Sequence, residues 1–203
     1  RKFYCLEGIE QLGQEINKRA ERFYKEKTED ELYEDSDLAY LLLKLEQLKL
    51  LYDKGRHWLS FGDSALKIVL DAQRRVEIME KRLKVNPGPG YHEFVYVSRV
   101  DDSAQPYHLY VPLSYDPLKG APLIVYLHGY FEMDKLDWQC VPEGLKALCE
   151  KYGYLLAVPF GRSNTDFQGI GEQDVMQVLD LVTRRYHVDK DRIFLLGYSM
   201  WGM

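Results

Sequence analysis

The sequence is poor in long apolar runs and carries no strong excess of one charge. Its best apolar stretches, Leu123–Leu127 and Ile193–Leu196, are strand-sized, whereas a helix that spans a bilayer needs roughly 20 apolar residues. We therefore expect no membrane span. The 27 basic and 32 acidic residues are interspersed and give a net charge of -5, which argues against nucleic acid or anionic lipid as a partner.

Cysteine is also scarce, because 203 residues contain only Cys5, Cys140 and Cys149. Their spacing fits no metal site, and an odd number argues against a disulfide framework. We expect small buried hydrophobic side chains, although Cys140 and Cys149 could form a bridge. No nucleotide-binding glycine loop, zinc ligand set or haem motif is visible, so we predict no cofactor and no metal.

With 46% hydrophobic residues the chain can build a core, and its first 85 or so residues show helical periodicity. One amphipathic helix is predicted after an N-cap at Asp35 or Ser36 and before Gly55. Its stripe consists of Leu38, Leu41, Leu42, Leu45, Leu48 and Leu51 or Tyr52. The other faces are predicted to carry Lys44, Glu46, Gln47 and Lys49.

Two further helices are predicted at about 6–27 and 63–84, which makes a small bundle or hairpin array. The segment Asn86–Gly90 contains two prolines and two glycines and ends this helical pattern. We place a domain boundary there, with a helical region over residues 1–86 and a second domain over residues 87–203.

Beyond the boundary, strand and helix patterns alternate. Residues 93–97 and 107–111 have the period of two of an antiparallel pair, and residues 122–128 form an apolar run typical of a buried strand. Helices and strands then follow at about 142–151, 154–159, 172–186 and 192–196. This order predicts an α/β fold with a largely parallel sheet.

The last predicted strand runs into Gly197-Tyr198-Ser199-Met200. A serine on a sharp turn between a buried strand and a helix is exposed above the sheet, where it can act as a nucleophile. The small Gly197 permits the tight turn, and the N–H of Met200 would point at a developing oxyanion. Ser199 is therefore the candidate nucleophile.

The second half of the sequence, including this turn, resembles the α/β-hydrolase superfamily. Within that superfamily it is similar to the esterase and prolyl-oligopeptidase-like group, which includes feruloyl and polyhydroxybutyrate-type esterases. The resemblance covers about 91–203 and rests on Tyr107–Pro112, Tyr115–Pro117, Pro122–Gly129, Gly171–Val175 and Tyr186–Ser199. It implies the first half of a hydrolase sheet after a small all-α region. It also implies an oxyanion loop, His128-Gly129-Tyr130, in which Tyr130 N–H is the second donor and His128 and Gly129 are supporting residues.

Two features depart from this pattern. Trp201 stands where the family has a glycine, and the chain ends four residues after Ser199. The family's acid and histidine follow the nucleophile, so we expect them beyond residue 203, in further chain or a separate piece. Without a base a serine is a poor nucleophile, so the 203 residues alone should be nearly inactive and poorly soluble. Arg1 is likewise not expected to be the natural start.

We predict a serine hydrolase that cleaves a carboxylic ester through an acyl-enzyme on Ser199. A serine peptidase and a noncatalytic binding or scaffold protein are the alternatives. The partners are then a small ester or peptide, and the helical region could support a homo-oligomer. The resemblance favours a secreted or periplasmic location. Two other features receive structural interpretations: His187 is expected at the surface, and Glu172 and Asp174 are expected to stabilise a helix N-terminus.

Overall fold

The computed structural model describes residues 2–34, 36–53, 61–81, 87–130, 135, 138 and 141–199. These fall into two compact units. The first comprises Arg1–Val85 with Val95–Ala104, and the second comprises Asn86–Phe94 with Gln105–Met203. A hairpin of two strands is therefore divided between the units, because the residues around its turn, Val95–Ala104, belong to the first unit.

The described residues of the first unit form four helices: α1 (Lys2–Lys25), α2 (Glu29–Glu34), α3 (Ser36–Asp53) and α4 (Phe61–Glu80). The periodicity predicted α1, α3 and α4 but not the six-residue α2. Thr28 begins α2 with half of a capping box, because its backbone N–H and its hydroxyl both donate to Glu31 Oε2 at 2.9 Å. The Thr-x-x-Glu pattern was therefore a usable signal for this helix.

Helix α3 is buried on more than one side, contrary to the single apolar stripe predicted for it. Lys44 and Gln47, expected on solvent-facing sides, are 7% and 5% exposed. Lys44 Nζ donates to Gln47 Oε1 at 3.1 Å and lies 4.7 Å from the ring centre of Tyr40. The reason is that α3 packs against α1, α4 and the hairpin tip within the unit, so little of its surface is left for water.

The second unit is an α/β structure, as predicted. Its strands are β1 (Gly90–Val97), β2 (Ala104–Val111), β3 (Ala121–Leu127), β4 (Leu155–Pro159) and β5 (Val188–Gly197), and its helices are α5 (Glu143–Tyr152) and α6 (Ile170–Arg185). The sheet order is β1-β2-β4-β3-β5. Strand β2 runs antiparallel to β4, whereas β4, β3 and β5 are parallel.

One core of this unit lies around β4 and α5, where Tyr126, Trp138, Leu156, Val158 and Phe160 pack together with Cys149. Cys149 is a buried free thiol, which contradicts the bridge to Cys140 considered above; Cys140 itself lies outside the described residues. Among the residues that the structure describes, no helix has both the length and the apolar character needed to cross a membrane.

Candidate active site

Three chain segments meet where the parallel strands end. The predicted oxyanion loop, His128-Gly129-Tyr130, follows β3 and is called the oxyanion loop below. Residues 160–169, called here the β4 loop, follow β4, and Tyr198-Ser199 follow β5. The carboxyl ends of parallel strands share one edge of a sheet, which is where ligands bind in open α/β folds. The candidate nucleophile and the predicted oxyanion loop therefore lie on adjacent strands.

The turn that carries Ser199 packs directly on the oxyanion loop. Leu127 pairs with Gly197, and the N–H of Tyr198 donates to the carbonyl of Leu127 at 3.2 Å. Ser199 itself has a left-handed backbone, φ 63°, as expected of a strained strand-to-helix turn. A Cβ at Gly129 would lie 3.1 Å from Ser199 Cβ and 3.1 Å from Tyr198 Cδ1. Only glycine at 129 allows this approach without displacement.

His128 connects the oxyanion loop to the β4 loop. Its side chain is 1% exposed. Ring atom Nδ1 lies 2.9 Å from the carbonyl oxygen of Gly129, and Nε2 lies 3.1 Å from that of Phe160. The ring of Phe167 meets it edge-on at 5.0 Å between centres. Both nitrogens thus face main-chain carbonyls, an arrangement suited to holding loops rather than accepting a proton from Ser199.

The β4 loop is held in an unusual backbone. Gly161, Arg162 and Ser163 are consecutive left-handed residues, and Asp166 and Phe167 also have positive φ. Each such non-glycine residue costs about 1–2 kcal/mol, so surrounding contacts must hold the loop in this form. Backbone strain of this kind tends to accumulate at functional sites, and here the loop and Ser199 both show it.

A buried ion pair anchors this loop to α6. Arg162 Nε donates to Asp174 Oδ2 at 2.6 Å, and the two side chains are 14% and 1% exposed. Glu172 lies in the first turn of α6, as predicted, whereas Asp174 lies beyond that turn and its carboxylate pairs with Arg162 inside the unit. Sequence spacing could not reveal this pair, since it depends on the path of the loop.

Of the two predicted oxyanion donors, the structure describes Tyr130 but not Met200. Tyr130 has a 62% exposed side chain at the open edge of the oxyanion loop. Met200, the predicted first oxyanion donor, and Trp201 lie outside the described residues. His187 is exposed, with its Nδ1 3.2 Å from the carbonyl oxygen of Pro117, in agreement with its predicted surface position.

The free thiol of Cys149, buried on α5, is not a competing nucleophile. Burial raises the pKa of the Cys149 thiol to about 11, which keeps it protonated at neutral pH and unreactive. Within the described part of the chain, no group of His, Cys, Asp and Glu side chains is arranged to hold a metal ion. Ser199 therefore remains the candidate nucleophile among the described residues.

Comparison with known sequences gives one informative match. The chain is 30% identical over 105 residues to a bifunctional acetylxylan esterase/xylanase from Neocallimastix patriciarum, a match that covers 47% of this chain and 14% of that protein. The 203 residues therefore span only a small part of this curated relative. No family model matches the chain. The chain resembles the α/β-hydrolase esterases.

Solved structures of hydrolases show partial likeness to this chain. For S-formylglutathione hydrolase from Staphylococcus aureus, the identity is 16% and the TM-score 0.44, over 56% of this chain and 49% of that one. For the ferulic acid esterase AmCE1/Fae1A from Anaeromyces mucronatus, the identity is 18% and the TM-score 0.38, over 59% and 53%.

The hydrolase-like unit is covered on one side of β3 and open on the other. Strand β4 is buried along all five residues, but on β5 Phe194, Leu195 and Leu196 are 47%, 68% and 41% exposed. An apolar groove of about 500 Å³ lies between β5 and α5, and its lining includes Leu148 and Tyr152. Apolar surface this contiguous is normally covered by further protein.

Proposed function

We propose that this chain supplies the nucleophile and oxyanion hole of a serine hydrolase that cleaves carboxylic esters. The observation that carries the proposal is the close approach of the Ser199 turn to Gly129, which brings a serine with a left-handed backbone against the oxyanion loop. Ser199 Oγ attacks the ester carbonyl, and the N–H groups of Met200 and Tyr130 stabilise the oxyanion that forms. His128 holds the oxyanion loop and is not the base.

The base and its acid come, in this proposal, from protein that also covers β5. The serine hydroxyl needs a histidine to accept its proton during attack and return it to the leaving alcohol. Further strands and helices placed against Phe194, Leu195 and Leu196 would bury this exposed surface and could carry both groups to the same sheet edge. The intact mass of the protein distinguishes groups that continue this chain from groups on a separate chain.

Esters are favoured over peptides because the curated relative is described as an acetylxylan esterase. An acetyl ester is accordingly the first substrate class to test. The peptidase alternative keeps the same nucleophile and oxyanion donors but needs a site for the peptide on both sides of the scissile bond.

The test compares wild type with Ser199→Ala in the complete gene product that carries these residues. Hydrolysis of an aryl acetate and an acetylated oligosaccharide should fall by about 10⁴-fold or more in the variant. A fluorophosphonate should add one adduct to wild type and none to Ser199→Ala, and the intact mass should exceed 23.9 kDa. A folded wild type without turnover or adduct would refute the proposal and favour a noncatalytic binding protein.

A peptidase is separated in the same experiment by a chromogenic dipeptide amide. Faster Ser199-dependent cleavage of the amide than of either ester would replace the esterase assignment. Equal rates of ester hydrolysis in the wild-type and Ser199→Ala preparations would instead indicate a contaminating activity.

A further inference from the structure

We propose that the Arg162–Asp174 ion pair positions the oxyanion loop, acting through the β4 loop and His128. The inference rests on the proposed function, because it assigns a task to residues behind the same site. Arg162 and Asp174 are positioning residues rather than catalytic ones, because their effect reaches the site only through other residues. Their effect on the reaction passes through a chain of contacts within the second unit.

The first link joins α6 to the β4 loop. Asp174 projects from the first turns of α6 and is 1% exposed, so its carboxylate depends on Arg162 for compensation. Arg162 Nη2 also donates to Asp174 Oδ1 at 3.4 Å. This fork fixes Arg162 in a left-handed conformation, φ 63°, that an unpaired arginine would leave easily.

The second link folds the β4 loop tightly around Phe167. The hydroxyl of Thr165 donates to the carbonyl of Gly161 at 2.6 Å, and Ser163 N–H donates to the carbonyl of Phe160 at 3.0 Å. A Cβ at Gly161 would lie 2.2 Å from Phe167 Cε1, so the ring fills the space beside this glycine. The loop cannot relax at Arg162 without moving Phe160 or Phe167.

The third link reaches the oxyanion loop. Phe160 presents its carbonyl to His128 Nε2, Phe167 presents its ring to the imidazole, and His128 Nδ1 contacts the carbonyl of Gly129. Gly129 precedes Tyr130, whose N–H is the proposed donor. A donor must lie within a few tenths of an ångström of its place to stabilise the oxyanion well, so loosening the β4 loop should weaken catalysis more than substrate binding.

The experiment uses Asp174→Asn, which keeps the shape of the side chain and removes its charge. We expect kcat per fluorophosphonate-titrated Ser199 to fall by about 10-fold to 100-fold, with KM within about twofold of wild type. Arg162→Lys keeps the positive charge, so its kcat should fall less than that of Asp174→Asn. Arg184→Met on the same helix is the control, because it breaks the exposed pair with Asp180 and should leave kcat unchanged.

Titration counts folded sites only, so a variant that merely unfolds more easily keeps its kcat. Unchanged kcat per titrated site in Asp174→Asn would overturn the proposal. The second readout needs no turnover: the ring ¹⁵N shifts of His128 report the hydrogen bonding of each nitrogen. They should change in Asp174→Asn and not in Arg184→Met. If Ser199→Ala has already refuted the hydrolase, an unchanged His128 signature in Asp174→Asn still overturns the positioning role, and a changed one upholds it.

Discussion

Strands β4 and β5 flank β3 on opposite sides and run in the same direction, yet they meet very different surroundings. Both are rich in apolar residues at their carboxyl halves, and both lead into a loop at the candidate site. Every residue of β4 is buried, while Leu195 on β5 is 68% exposed. The difference shows that the apolar character of β5 is not explained by the contacts within this unit.

The comparison also locates the two halves of the proposed chemistry. The covered side, with β4, His128 and the Arg162–Asp174 pair, carries the contacts that position the oxyanion loop in the proposal. The open side, with β5, leads into Ser199, and the proposal takes the base from protein that covers this side.

The largest expected effect comes from a matched pair of leucines, one on each strand. Leu156 on β4 is 1% exposed and pairs with Ile124, whereas Leu196 on β5 is 41% exposed and pairs with Tyr126. Leu156→Ala should lower the free energy of unfolding by about 2–5 kcal/mol, since it leaves a cavity. Leu196→Ala in the 203-residue chain should cost less than half as much. Urea denaturation measures both, and equal costs would mean that β5 is covered.

The covered side also buries a histidine, which predicts a pH dependence. Burial, followed by the nearby Lys146 charge, lowers the pKa of His108 to about 4. Because the unfolded chain has the ordinary value near 6.5, it binds more protons than the folded chain between these pH values. The stabilisation is complete above about pH 6.5 and is lost progressively as pH falls towards 4, at most about 3 kcal/mol.

Urea unfolding of wild type and His108→Phe between pH 4 and 7 checks this. The difference in stability between the two should change with pH in favour of the variant as the solution is acidified. Parallel curves for both proteins would show that His108 is hydrated in solution, and the β4 side would then be less tightly covered than its geometry indicates.

Sequence patterns predicted the elements on both sides of β3 about equally well. The apolar runs and the glycine-serine turn are local signals, so β3, β4, β5 and the position of Ser199 followed from them. The burial of Lys44 and the Arg162–Asp174 pair did not follow, because each depends on residues brought together from different elements. The short helix α2 was missed although Thr28 and Glu31 carried a capping signal.

An intermediate effect is expected where the two sides meet, at Gly129. A methyl group there would lie 3.1 Å from Ser199 Cβ and from Tyr198 Cδ1, so Gly129→Ala must displace the turn or the oxyanion loop. We expect a loss of stability of about 1–3 kcal/mol and a lower kcat in the complete protein. Gly144→Ala is the control: it has open space around its Cα and lies in α5, so alanine should stabilise by about 0.5–1 kcal/mol.

The smallest effect on stability, but a clear one on association, is expected for Leu195→Lys. The leucine is largely exposed on an edge strand, so a lysine there should change the free energy of unfolding by less than about 0.5 kcal/mol. A charge on an exposed apolar edge opposes pairing with another chain, so light scattering by the 203-residue chain should decrease. In the complete protein the same substitution should instead destabilise strongly if further strands cover β5. Similar small effects in both forms would mean that β5 is a true edge, and the base would then have to reach Ser199 from elsewhere.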